Sequence, residues 1–216
     1  MADPATEMVD LGRERLLWAA LDQLESEGRG SMSTAALAAL ADLDEGDFLA
    51  TFGDVDACLA DAYALLTERV GAAVQAGCTA YREGDRGAER DFAAGVRGGV
   101  EALLGELTER PRMAHTLTVT YPALGVAEQR RYLEFLTDLS RLLRLRWEAD
   151  GVDTELPGEV EMLAIGSGEA IVTDEIRAGR GGELAAMAPE ILFSILVPYI
   201  GAGHARLEME RARTGQ

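Results

Sequence analysis

Apolar residues recur every three or four positions along almost the whole chain, and this spacing constrains the fold more than any other feature of the sequence. The longest such run extends from Val55 to Tyr81 and corresponds to about seven helical turns. Alternation of apolar and polar residues, which is typical of half-buried strands, is nearly absent. The sequence therefore predicts an all-α protein of about nine helices.

Glycine, proline and polar clusters divide this periodic pattern into separate helices. A tight turn, "ADLD", lies between two short helices that Ser33 and Asp44 are placed to cap. Besides the long run, we predict helices over residues 7–27, 33–41, 44–52, 88–110, 112–120, 128–150, 159–178 and 184–211.

Acidic residues are concentrated in the N-terminal third of the chain. The 216 residues include 38 acids and 20 bases, which gives a formal net charge of −18, and every base is Arg. Residues 1–68 contain fifteen acids and three bases, and residues 30–68 contain eight acids and no base. A surface of this kind disfavours polyanions and anionic lipid head groups, so composition alone gives no support for a nucleic-acid or membrane partner.

The cysteines and the most apolar stretch indicate in which cellular compartment the protein is located. Cys58 and Cys78 fall on one predicted helix, about 30 Å apart, whereas a disulfide tolerates about 7 Å between Cα atoms. We therefore expect two reduced thiols and a cytoplasmic protein. The acidic first ten residues do not resemble a signal peptide. The run Leu184–Gly203 is about long enough to span a bilayer, but Glu190 and Pro198 favour a buried helix of a bundle.

The segment "STAALAALADLDEGDFLATF", Ser33 to Phe52, has the proportions of a helix-turn-helix. It resembles the N-terminal domain of TetR-family transcriptional regulators. "SEG" precedes it, "DVDACL" follows it, and residues such as Leu37 and Phe48 stand where that family has core residues. The stretch "ELAAMAPEILFSILVPYIGAGHARLE" is similar to the last helix of many members. The resemblance implies a DNA-binding domain at residues 1–52 and a ligand-binding and dimerisation domain at residues 53–216.

The resemblance also identifies the residues that would face a double-stranded DNA operator. They are Ser33, Thr34, Asp44, Glu45, Gly46, Asp47, Leu49, Ala50 and Thr51. Leu49 replaces a tyrosine that commonly touches a phosphate, and Val55 replaces a lysine that commonly meets the backbone.

The charges of this segment oppose the function that its shape implies. Asp44 and Asp54 place carboxylates at two helix N-termini, which would otherwise attract phosphate. Residues 45–51 contain no Arg, Lys, Asn or Gln for bidentate base recognition. Two interpretations stay open. The protein is a regulator that binds DNA, or it has kept the fold, has lost DNA binding and acts as a ligand- or protein-binding module.

The resemblance further implies a small-molecule site inside the C-terminal helices, since bundle interiors hold such pockets. His115 is of most interest, because its ring can hydrogen-bond a ligand. Glu169 and Asp174 contact either a polar ligand or, in a solvent-exposed salt bridge, Arg177. Ordinary core packing is the alternative for every candidate. The candidates are Tyr81, Phe92, Met113, His115, Leu117, Tyr121, Phe135, Trp147 and Met162.

The last two predicted helices have the features of a dimer surface. Ala164–Ala170 is rich in small residues that permit close helix approach, and Ile191–Ile200 is apolar nearly all round. Two such helices from each subunit would form an isologous four-helix interface of a homodimer. In the allosteric mechanism that the resemblance implies, a ligand in the bundle shifts the long helix and changes the spacing of two DNA-reading helices.

Catalysis has little support in the sequence. His115 and His204 lie far apart, without metal-ligand spacing, and no nucleophile motif or phosphate loop is present. The acids Glu159 and Glu161 are expected on different helix faces, as solvated charge. We therefore predict a protein that is not an enzyme and that has no metal or cofactor.

Overall fold

The computed structural model describes residues 4–80, 88–149, 156–157 and 159–214, and within these ranges the fold is all-α, with nine α-helices and no strand. Short 3-10 turns occupy Arg29–Ser31 and Gly181–Met187, and a π-helix occupies Thr116–Thr120. The α-helices are α1 Pro4–Glu27, α2 Thr34–Leu40, α3 Glu45–Phe52, α4 Val55–Ala80, α5 Ala88–Glu109, α6 Pro111–His115, α7 Val126–Ala149, α8 Val160–Arg177 and α9 Ala188–Thr214.

Helices α1, α2 and α3 form a small three-helix unit around a shared apolar core. Leu17 and Leu21 of α1, Leu37 of α2 and Phe48 of α3 are almost completely buried there. Burying each such side chain stabilises the fold by about 1.5–3 kcal/mol. Phe52, one turn further along α3, packs against Phe48, with the two ring centroids 5.2 Å apart.

Helix α4 connects this unit to the remaining helices and packs most closely on α5. A Cβ atom added to Gly77 would lie 2.3 Å from the carbonyl oxygen of Gly98, so the two helices meet backbone to backbone there. Cys58 and Cys78 both lie on α4 as thiols that form no disulfide, as predicted. Burial, together with nearby Asp61, raises the pKa of Cys58 to about 12, so this thiol is poorly reactive at neutral pH.

The segment predicted as a helix at residues 112–120 consists of α6 and the π-helix, so the prediction of a helix is confirmed. This segment packs on α1 through a shared carboxylate. Glu25 accepts hydrogen bonds from the Thr116 hydroxyl at 3.1 Å and from the Thr120 hydroxyl at 2.7 Å, and His115 Nδ1 lies 3.0 Å from Glu25 Oε1. The N-terminal unit is therefore linked to the C-terminal helices by a polar cluster as well as by α4.

Helices α8 and α9 pack against each other through small side chains. Gly168 lies against Ile191, and the Ser167 and Ser194 hydroxyls are 3.1 Å apart. Part of the small-residue stretch predicted to serve a dimer therefore serves the contact between α8 and α9 within one chain. The stretch Gly181–Thr214 is long and apolar enough to cross a membrane. Core helices of bundles pass the same test, and this one bends at Gly201, where φ is 73°.

The expectation for Glu161 is wrong. Its side chain is buried rather than solvated, and it accepts hydrogen bonds from Arg144 Nε at 3.0 Å and Arg144 Nη2 at 2.9 Å. Burial raises the pKa of Glu161, but hydrogen bonds from Arg144 and from the backbone outweigh it and hold the pKa below its ordinary value. This bidentate ion pair joins α7 to α8.

Candidate functional site

Helix α3 presents its acidic side to solvent at the tip of the N-terminal unit. Its N-cap Asp44 accepts a hydrogen bond from the Asp47 backbone N–H at 2.8 Å, and Asp54 caps α4 in the same way through the Ala57 N–H at 2.7 Å. The Thr34 hydroxyl donates to the Glu45 carboxylate, which joins α2 to α3. The N-termini of α3 and α4 are thus already occupied by carboxylates of the chain.

The structure brings the predicted DNA-facing residues together on one surface. All of them are exposed except Thr34, which is half-buried. Phe48 and Phe52 point into the core, so the exposed side of α3 consists of short or acidic side chains and Leu49, which is 44% exposed. Whether these residues contact DNA stays a prediction.

Two of the three arginines in residues 1–68 are held in ion pairs with α4. Arg13 lies 2.7 Å from Asp61 and 5.7 Å from the centroid of the Phe52 ring, and Arg29 lies 2.7 Å from Asp56. Exposed pairs of this kind contribute about 0.2–1 kcal/mol, so a phosphate would compete with the carboxylates for these arginines. The arrangement further lowers the positive potential available near α3.

An apolar cavity of about 100 Å³ lies among α4, α5, α7, α8 and α9. Its wall includes a stripe of α7 from Tyr132 to Arg146, which spans about 21 Å along the helix axis. The stripe from Val96 to Leu107 of α5 forms the opposite wall. Most of the lining is aliphatic or aromatic, with Thr118, Arg146 and Glu169 as its polar side chains, which is typical of a small-molecule site.

The structure separates the predicted ligand-binding residues into several groups. Leu117 and Phe135 line the cavity. Phe92 packs on Tyr199 and Tyr121 stacks on Tyr63. The others do not join the lining: Met113 is half-buried beside the core, Met162 is 37% exposed, and His115 contacts Glu25. Tyr81 and the side chain of Trp147 lie outside the described residues.

Glu169 supplies a carboxylate to the cavity wall, and the salt bridge expected with Arg177 is replaced by hydrogen bonds. The Tyr132 hydroxyl donates to Glu169 Oε1 at 2.7 Å, and the Thr173 hydroxyl donates to the same oxygen at 2.8 Å. Burial, and then the contact with Glu169, raises the pKa of Tyr132, so its phenol stays a donor at neutral pH. Sequence reasoning singled out Glu169 as an acid on an apolar helix but did not pair it with Tyr132.

A second opening, of about 580 Å³, lies between the outer sides of α4 and α7. Phe135, Leu139 and Leu142 line both this groove and the inner cavity. These three side chains of α7 therefore stand between the two spaces. The combined space reaches the range of about 300–1,000 Å³ that small-molecule sites occupy.

Comparison with known proteins supports the architecture. No protein-family model matches the chain, and no curated protein matches it. Among solved structures, it is similar to a fatty acid degradation regulator, FadR, from Bacillus halodurans, with a TM-score of 0.67 at 16% identity over 86% of this chain and 94% of that one.

Two further similar structures are described as TetR-family regulators. PfmR from Thermus thermophilus has a TM-score of 0.56 at 18% identity and covers 87% of this chain and 95% of its own. A regulator from Marinobacter aquaeolei has a TM-score of 0.55 at 17% identity and covers 96% of both chains. The chain therefore has the fold of TetR-family transcriptional regulators, over nearly its whole length.

Proposed function

We propose that this protein is a dimeric transcriptional regulator of the TetR type, which binds operator DNA through residues 1–52 and a small molecule through residues 53–216. The observation that carries the proposal is the presence of both parts in one fold: an exposed helix-turn-helix formed by α2 and α3, and an apolar cavity beside the helix that connects to it. The fold, shared with known regulators, supports the same conclusion. A cytoplasmic location and the lack of enzymatic activity belong to this proposal.

Dimerisation is proposed through the outer sides of α8 and α9. Leu163 on α8 is 71% exposed and Leu207 on α9 is 50% exposed, so both leucines are available to a partner. Phe193, Val197 and Ile200 are only partly buried on the neighbouring part of α9. A stable interface buries about 800 Å² on each partner, and a second copy packed on these helices would cover these side chains.

Allosteric control is proposed to act through α4. Helix α4 contributes Val74 and Cys78 to the cavity wall and begins next to α3, so a ligand that displaces it also displaces the reader helix. Two reader helices must lie about 34–36 Å apart to enter successive major grooves. If free and ligand-bound forms place Phe52 of the two subunits at the same separation, this coupling is wrong.

The experiment that tests DNA binding is fluorescence anisotropy with a duplex from the region upstream of the protein's own gene, measured across a salt series. Specific sub-micromolar binding with a shallow salt dependence is expected, because few phosphates can be neutralised by this surface. The protein is refolded or extensively dialysed first, so that an inducer retained from purification does not mask binding.

A second candidate function is supported by the charges around α3. The acidic caps Asp44 and Asp54 and the ion pairs of Arg13 and Arg29 all weaken attraction for phosphate. The alternative is a protein of the same fold that no longer binds DNA and acts as a ligand- or protein-binding module. The absence of any binding at low salt by ligand-free protein, for both upstream and unrelated duplexes, would favour this alternative.

A further inference from the structure

The cavity among α4, α5, α7, α8 and α9 has an apolar wall with one charged side chain near each end. One of these side chains is acidic and the other is basic. Glu169 lies at the end where α7 contributes Tyr132, and the Arg146 guanidinium lies at the other end, where it donates to the Cys78 carbonyl at 3.2 Å. Tyr132 and Arg146 are separated by about 21 Å along α7. Among the described residues of the lining, the charged group at the Tyr132 end is therefore a carboxylate, and the charge of Arg177, which lies outside the lining, also reaches Tyr132.

The hydrogen bonds of Glu169 leave it able to accept more. Tyr132 and Thr173 both donate to Oε1, while a carboxylate has two oxygens and about four acceptor positions. An ionised carboxylate cannot donate, so the complementary ligand group is a donor. In an apolar lining a cation is favoured over a neutral donor, because it also compensates the charge.

The groove that leads to the cavity also favours a positively charged ligand. The groove between α4 and α7 is lined by the acids Glu68, Glu134 and Asp138 and by Arg131 and Arg141. Arg141 is paired with Asp138 at 2.7 Å, Arg131 with Glu128 at 3.8 Å and Arg130 with Glu134 at 3.8 Å. Glu68 then remains as the excess charge of the groove lining. With a net charge of −18 on the whole chain, the approach of a cation is favoured and that of an anion is opposed.

We propose that the ligand is an apolar organic ammonium that enters through the groove between α4 and α7 and places its nitrogen against Glu169, with its apolar part along Phe135, Leu136 and Leu139. This inference rests on the proposed ligand-binding function. A carboxylate ligand such as a fatty acid would instead present an anion to Glu169.

The test is isothermal titration calorimetry of the full-length protein with three probes of equal chain length: hexylammonium, 1-hexanol and hexanoate. Hexylammonium is expected to bind at least about tenfold more tightly than hexanol, equivalent to about 1.4 kcal/mol, and hexanoate is expected to bind most weakly. In Glu169→Gln this preference for hexylammonium is expected to be lost, whereas Glu134→Gln, in the groove but outside the cavity, is expected to retain it.

The comparison of probes on the unmodified protein decides the inference even if Glu169→Gln fails to fold. Equal binding of hexanol and hexylammonium would overturn the ammonium proposal while leaving the cavity as a ligand site. Preferred binding of hexanoate would also overturn it and would point to the Arg146 end. Failure of all three probes to bind would overturn the cavity as the ligand site together with the inference, and DNA binding is measured separately by anisotropy.

Discussion

Asp44 has two opposing effects at the residue scale, because the same carboxylate caps α3 and repels phosphate. Asp44→Ala is expected to lower the free energy of unfolding by about 1 kcal/mol through loss of the cap. It is also expected to raise DNA affinity by up to about fivefold, since two unit charges 4 Å apart interact by about 1 kcal/mol in water. Urea unfolding and anisotropy measure the two effects.

Asp44→Asn is the matched control, because asparagine caps helices about as well as aspartate but carries no charge. It is expected to keep the stability of the unmodified protein and to show the gain in DNA affinity. Equal destabilisation by both substitutions would mean that the hydrogen bond to the Asp47 N–H does not stabilise α3.

Glu161 provides a pH dependence whose sign follows from its pKa. Because the pKa is held below its ordinary value in the folded state, the ion pair with Arg144 stabilises the fold at neutral pH. This contribution begins to decline near the unfolded carboxyl pKa of about 4.3 and is lost as the pH falls through the folded value. The difference in unfolding free energy between the unmodified protein and Glu161→Gln is therefore expected to shrink below about pH 4.

The measurement is urea unfolding at a series of pH values from neutral to acid. Glu159→Gln is the control, because Glu159 is exposed and stands just before the same helix. It is expected to change the stability by less than about 0.5 kcal/mol at every pH. A difference for Glu161→Gln that stays constant across the acid range would show that the carboxylate charge is not what stabilises the contact between α7 and α8.

At the scale of elements, the contact between α4 and α5 depends on two glycines facing each other. Gly77→Ala is expected to destabilise the protein by about 1–3 kcal/mol, because the new methyl group would meet the Gly98 carbonyl and force the helices apart. Gly71→Ala, on the same helix with open space around it, is expected to stabilise by about 0.5–1 kcal/mol. Thermal unfolding of both variants tests this prediction. Equal changes in stability for the two variants would contradict the close approach of α4 and α5.

The helices were predictable from the sequence because their pattern is local. Apolar spacing and caps predicted α4 at Val55–Tyr81, and the described helix runs from Val55 to Ala80. The cavity lining was not predictable in the same way, since it depends on which helix sides meet. Phe92 and Tyr121 are apolar enough to line a cavity, but each packs instead against an aromatic ring from a distant part of the chain.

At the scale of the whole molecule, the proposed function requires that two chains hold two reader helices at a fixed distance. A single chain has one helix-turn-helix, and one acidic reader helix has few contacts with which to hold DNA. The affinity of each half-site is therefore expected to depend on dimerisation, which raises the effective concentration of the second reader at the operator. Loss of the dimer should then abolish operator binding without unfolding the chain.

Leu163→Asp tests this dependence, because Leu163 is 71% exposed in the single chain and a carboxylate there costs little in the monomer. In the proposed interface the same carboxylate would be buried without a partner, which is strongly unfavourable. The variant is expected to elute as a monomer in size-exclusion chromatography with light scattering, with a normal helical circular dichroism spectrum and no operator binding. Leu145→Asp, at a 61% exposed leucine of α7, is expected to remain a dimer. If Leu163→Asp also remains a dimer with unchanged affinity, the outer side of α8 is not the interface, and the spacing of the reader helices must be set by another surface.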